Sequence, residues 1–164
     1  MLVDDKKAAI IDPYTQAKVF EIAVNNKLIP WLKGWKVERK EVNVTGSRLD
    51  YKITNGMYEG YMELKSAAYY DGYYAMYPDC PSERGLRHIN TLERLNKQGY
   101  RSVITFLAAH PYAKAFKPNI LAHEQLALKL SSAHREGLEV YAVKSFLHID
   151  GNVFVSDSDL PIEL

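Results

Sequence analysis

The run from Lys36 to Ser66 constrains the fold more than any other part of the chain. Val37, Val42 and Val44 are followed by the turn Thr45-Gly46-Ser47, and Leu49, Tyr51 and Ile53 then alternate. Asn55-Gly56 is a strong hairpin signal, and Tyr58, Tyr61 and Leu64 lie on the returning segment. Period-two runs joined by tight turns predict a three-stranded antiparallel meander over 36–66.

Helical signals flank the meander. Asp12-Pro13 supplies an N-cap carboxylate and a proline at the first helical position. Val19, Phe20, Ala23 and Val24 continue with helical period, predicting a helix over 13–27. Residues 67–81 hold five of the twelve tyrosines and follow no period, so they read as an ordered loop. Ser82 or Asp79 caps the next helix, which carries Leu86, Ile89, Leu92 and Leu95 and stops at Gly99. Arg101–Ala109 reads as a buried strand, 110–118 as loop, 122–136 as a helix and 138–147 as a strand. Asp150-Gly151 then turns the chain into a last short strand, 153–155. The order is α-βββ-α-β-α-β, an α/β chain with a mixed sheet flanked by helices. A single domain over 1–164 is expected, with 1–11 as an extension and 149–164 as an acidic tail or hairpin.

Composition excludes several classes. The 164 residues are 47% hydrophobic and 25% charged, ordinary for a globular domain and far from disorder. Cys80 is the sole cysteine, which rules out a disulfide framework and a cysteine metal cluster. No apolar stretch approaches a membrane span, and MLVDDKK does not resemble a signal peptide, so the expected location is cytoplasmic. The net charge of +1 does not identify a partner, but charge is unevenly spread. Lys27, Lys33, Lys36, Arg39, Lys40, Arg48 and Lys52 outnumber three acids in 27–52, whereas the last fifteen residues hold four acids and no base.

Asp50, Glu63 and Lys65 carry the candidate chemistry. If Gly56-Met57 centres the turn, Asp50 lies opposite Glu63; if Asn55-Gly56 does, Glu63 is its diagonal neighbour. Both registers put the two carboxylates on one face, and Lys65 shares it by period two. Two carboxylates beside an ammonium suit Mg²⁺ or Mn²⁺ acting on a phosphate. The same residues also fit an exposed strand with a solvated Glu63–Lys65 pair. Like charges in one cleft should raise the pKa of at least one of Asp50, Glu63 and Glu21.

The ordered set SRLDY, GYMELKS, MYPDCPSERGLRHI and FKPN resembles the C-terminal domain of the sugar fermentation stimulation protein (SfsA) family, within the PD-(D/E)xK nuclease superfamily. The resemblance runs from about Asp12 to Ala142. It implies a restriction-endonuclease-like αβββαβ core with an extra C-terminal helix and strand. It also implies a Mg²⁺- or Mn²⁺-dependent nuclease in which Asp50 and Glu63 bind metal, Lys65 is the catalytic lysine and Glu21 is an additional acid. Arg48, Arg84 and His88 are candidate substrate contacts, the last two at a helix N-terminus suited to phosphate. The alternative is a non-catalytic DNA-binding regulator of sugar metabolism that keeps the fold. Nucleic acid, DNA foremost, is the expected partner, with a homodimer or a chain supplying an OB-like barrel as further expectations, because family members usually begin with such a barrel. Ala17 and His123 stand where the family pattern has asparagine and aspartate.

Overall fold

A computed structural model describes residues 1–164. The elements are β1 (Lys7–Ala9), α1 (Pro13–Asn25), β2 (Lys36–Val44), β3 (Ser47–Thr54), β4 (Glu59–Ala67), β5 (Tyr69–Tyr70) and β6 (Tyr74–Tyr77). They continue with α2 (Glu83–Lys97), β7 (Arg101–Ala108), β8 (Ala115–Pro118), α3 (Glu124–Arg135), β9 (Glu139–His148) and β10 (Val153–Asp157). The main sheet runs β1-β9-β7-β4-β3-β2, with β10 on the free side of β9. β2, β3 and β4 are antiparallel, whereas β4, β7 and β9 are parallel and joined by α2 and α3. This is the mixed α/β architecture expected of a restriction-endonuclease-like core.

Each face of the sheet buries its own core. Phe20 and Ala23 of α1 pack on Tyr51, Ile53, Met62, Val103 and Leu107. Ile89, Leu92, Leu126 and Leu130 of α2 and α3 pack on Leu49, Ile104, Phe106 and Ala142 from the other side. Asp12 caps α1, accepting from the Thr15 amide at 2.8 Å. The helix stops at Asn25, two residues before the expected end, because Lys27 takes a left-handed φ of 59°. Ser82, not Asp79, caps α2, its hydroxyl accepting from the Gly85 amide at 3.0 Å.

Three segments depart from the expected pattern. Residues 67–81 hold β5 and β6, and β8 arises inside the expected loop at 110–118. Together they form a second, three-stranded sheet in which β6 and β8 run parallel. The first eleven residues contribute β1, which pairs with the end of β9 beyond the reach of β7. The last short strand, by contrast, falls where the Asp150-Gly151 turn places it, and β10 pairs with β9 as a hairpin.

Candidate active site

The site forms where β3 and β4 part. Their ladder runs from Thr54↔Glu59 to Tyr51↔Met62, the register that sets Asp50 against Glu63, and ends there. Side chains then replace the missing backbone bonds. Glu63 Oε2 accepts from the Asp50 amide at 3.1 Å, and Asp50 Oδ2 accepts from the Leu64 amide at 2.7 Å.

A twist in β3 sets up this gap. Leu49 packs into the core beneath α2 and α3, while Tyr51 packs beneath α1, although residues two apart in a regular strand share a face. On β2, Glu41 lies between the pairs Lys40↔Tyr51 and Val42↔Leu49 with a left-handed φ of 51°. A glutamate in that region is strained. Asp50 therefore turns toward β4 at a break in the alternation.

Glu63 is the hub. Its Oε1 lies 2.7 Å from Lys65 Nζ and 2.5 Å from His88 Nδ1, and Lys65 Nζ is 3.0 Å from the same ring nitrogen. The Glu63 side chain is 3% exposed, that of Lys65 10% and that of His88 2%. Burial pushes the Glu63 carboxyl up, but the bonds from His88 and Lys65 outweigh it and hold the group below its usual range. Asp50 goes the other way. Burial first and the Glu63 charge second raise its pKa to about 6. One carboxyl of the pair is thus raised, as like charges require, and the other is held down by its two nitrogen partners.

Glu21 stands one layer away. It accepts from the Tyr51 hydroxyl at 2.8 Å and from Lys40 Nζ at 2.7 Å, and these bonds overcome burial to lower its pKa. It touches neither Asp50 nor Glu63; Tyr51 links it to the site, feeling the Asp50 and Glu63 charges at its phenol. Arg48 and Arg84 are exposed, and their side chains make no hydrogen bond within the protein. His88, expected beside Arg84 on a phosphate, is instead buried against Glu63. The sequence did hold a signal for this, since His88 leads Leu92 and Leu95 at i+4 and i+7, the inner stripe of α2. Tyr51 and Lys40, which position Glu21, were not singled out from the sequence.

No third His, Cys, Asp or Glu joins Asp50 and Glu63 to complete an all-protein metal cage. The donor set still suits a small hard cation, because Mg²⁺ commonly takes one or two carboxylates and fills its shell with water and phosphate oxygens. Asp50 Oδ1 accepts no hydrogen bond within the protein, leaving lone pairs free beside the Glu63 charge.

A sheet of this topology, with two carboxylates and a lysine converging where its central antiparallel strands separate, defines a restriction-endonuclease-like domain. Residues 14–151 match the family described as SfsA, sugar fermentation stimulation protein RE domain. The chain belongs to that family. It is 38% identical over 161 residues to a sugar fermentation stimulation protein homolog of Pyrococcus furiosus, covering 98% of this chain and 70% of the relative. A homolog from Archaeoglobus fulgidus is 38% identical over 154 residues, covering 94% of this chain and 65% of the relative. The solved structure of Pyrococcus furiosus SfsA in complex with Ca²⁺ superposes with a TM-score of 0.93, covering 98% of this chain and 69% of that one.

Proposed function

We propose that this domain is a metal-dependent phosphodiesterase acting on nucleic acid. The observation that carries the reading is the meeting of Asp50, Glu63 and Lys65 side by side at the parting of β3 and β4. A related structure holding Ca²⁺ supports it. Asp50 and Glu63 would hold a Mg²⁺ or Mn²⁺ ion, which supplies Lewis-acid polarisation of a phosphate when bound. Lys65, already aimed at this point, stabilises negative charge developing on the phosphate. His88 fixes the Glu63 carboxylate from behind and keeps its second oxygen turned toward Asp50. Tyr51 and Lys40 hold Glu21 as a further negative charge one layer from the pair. Arg48 and Arg84 are exposed cations available to flanking phosphates.

With Mn²⁺ and a mixture of single- and double-stranded DNA and RNA, the protein should cleave at least one substrate, and EDTA should stop it. Lys65→Ala should lose turnover while keeping Mn²⁺ binding by calorimetry; Asp50→Ala should lose both. Cleavage that persists in Asp50→Ala would overturn the assignment. Metal and nucleic-acid binding without cleavage would favour a regulator that keeps the nuclease fold.

A further inference from the structure

A second feature lies away from the carboxylates. Between α1 and β2 the chain makes a compact loop containing a short 3-10 turn, Pro30–Leu32, with left-handed residues at Lys27 and Gly34. A depression of about 780 Å³ opens beside it. Its floor is apolar, with Ile29 and Leu32 buried in the α1-side core. Its rim carries Lys27, Lys33 and Lys36 and no acid, and none of the three lysines has a carboxylate partner anywhere in the protein.

Trp35 also lines the depression, and its indole is clamped. The Arg101 guanidinium lies 4.9 Å from the ring centroid. That guanidinium is itself fixed to both oxygens of Glu139, at 2.8 and 2.7 Å, and to the Trp31 carbonyl at 2.8 Å. An aromatic surface held this rigidly loses little entropy when a flat group stacks on it.

The depression adjoins a second one. It shares Val24, Asn25 and Val37 with a smaller one of about 70 Å³ that reaches Glu21, Lys40 and Tyr51. Tyr51 follows Asp50 in the chain. From Lys36 to Lys40 the path along β2 is about 13 Å, a span of a few nucleotides.

We propose that the α1–β2 groove binds single-stranded nucleic acid, its phosphates on Lys27, Lys33 and Lys36 and one base against Trp35, and leads that strand toward Asp50 and Glu63. The inference rests on the nuclease reading for its direction and extends it by naming a strand, not a duplex, as the ligand. Unpaired cations over an apolar floor suit a ligand that alternates phosphates with flat apolar groups. A duplex keeps its bases paired and stacked and has no free base face for the indole.

The probe is a fluorescein-labelled oligothymidylate of about 12 nucleotides, read by anisotropy in EDTA so that binding is measured without cleavage. Replacing Lys27, Lys33 and Lys36 together by Gln should weaken binding at low salt at least about tenfold. It should also reduce the slope of log affinity on log salt by about 2, since each single-strand phosphate contact contributes about 0.7. Trp35→Leu should weaken binding with the slope unchanged. Unaltered affinity and slope in the triple variant would overturn the groove, as would equal affinity for a blunt duplex or full competition by thymidine monophosphate at equal nucleotide concentration. If the groove fails in this way while the wild-type protein still hydrolyses bis(p-nitrophenyl) phosphate with Mn²⁺, the nuclease reading stands without it. If hydrolysis is absent but the lysines control strand binding, the groove stands alone.

Discussion

Glu63 is nearly fully buried and both of its oxygens are partnered, by Lys65 and His88 on one side and by the Asp50 amide on the other. Removing its charge leaves a buried ammonium facing a neutral amide, the situation in which breaking a buried pair costs about 3 kcal/mol or more. Glu63→Gln should therefore lower the denaturation midpoint of the metal-free protein at neutral pH. Asp50 should show the opposite sign. Its folded pKa is raised from 3.8 to about 6, so the native state favours the protonated form. The associated stability is complete below the unfolded value and is lost as pH rises through about 6, a difference of up to about 3 kcal/mol at 1.4 kcal/mol per unit. Asp50→Asn keeps an acceptor for the Leu64 amide and removes the charge. In EDTA it should melt higher than wild type above about pH 7, and the gap should close toward pH 4. If both substitutions lower the melting temperature across that range, the two carboxylates act as one structural pair and the like-charge account fails.

At the scale of elements, one backbone irregularity and one tight helix contact lie beside the chemistry. Glu41 occupies left-handed space opposite Asp50, where a non-glycine residue is strained by about 1–2 kcal/mol. Glu41→Gly should raise stability by about 0.5–1 kcal/mol in urea denaturation, after glycine's larger unfolded-state entropy is subtracted. A loss of stability there would mean that the Glu41 side chain holds the twist. Gly85 marks a close approach on α2: a Cβ there would collide with the Tyr77 hydroxyl and with Ser82 Oγ. Gly85→Ala should cost about 1–3 kcal/mol in the same assay, because either the packed Tyr77 and Ser82 side chains or α2 itself must shift to make room. The meander, the three helices and the meeting of Asp50 with Glu63 on one face were legible in the sequence because alternation, caps and turn residues are local signals, whereas the choice between the two hairpin registers needed the structure. The second sheet was not legible. β6 and β8 pair in parallel from segments some forty residues apart, and two- to four-residue strands rich in tyrosine carry no period to read. The twist at Asp50 escaped for a related reason: regular alternation through Leu49, Tyr51 and Ile53 reads as one face, while the fold sends Leu49 to one core and Tyr51 to the other. The lysine excess over 27–52 was visible, but its gathering around Trp35 follows from the loop that returns α1 to β2.

For the molecule as a whole, the site lies between two cores that share one sheet. α1 covers the face that holds Tyr51, and α2 with α3 covers the face that holds Leu49. A ligand gripping Asp50 on β3 and Glu63 on β4 would tie together two strands whose ladder has already opened, so its binding energy appears as stability of the whole domain. At a Mn²⁺ concentration about 100 times its dissociation constant, the gain is about 2.7 kcal/mol, which for a domain of this size is about 5–10 °C in melting temperature. Wild type should show this shift, and Lys65→Ala should keep it, because on the proposed reading the lysine acts on the phosphate and is not a ligand of the cation. Asp50→Ala should lose it, and Glu21→Gln should retain most of it, since Glu21 bonds to Tyr51 and Lys40 and touches neither Asp50 nor Glu63. A full shift in Asp50→Ala would place the cation elsewhere on the protein. Loss of the shift in Glu21→Gln would instead make the Tyr51-linked carboxylate part of the ion's own shell.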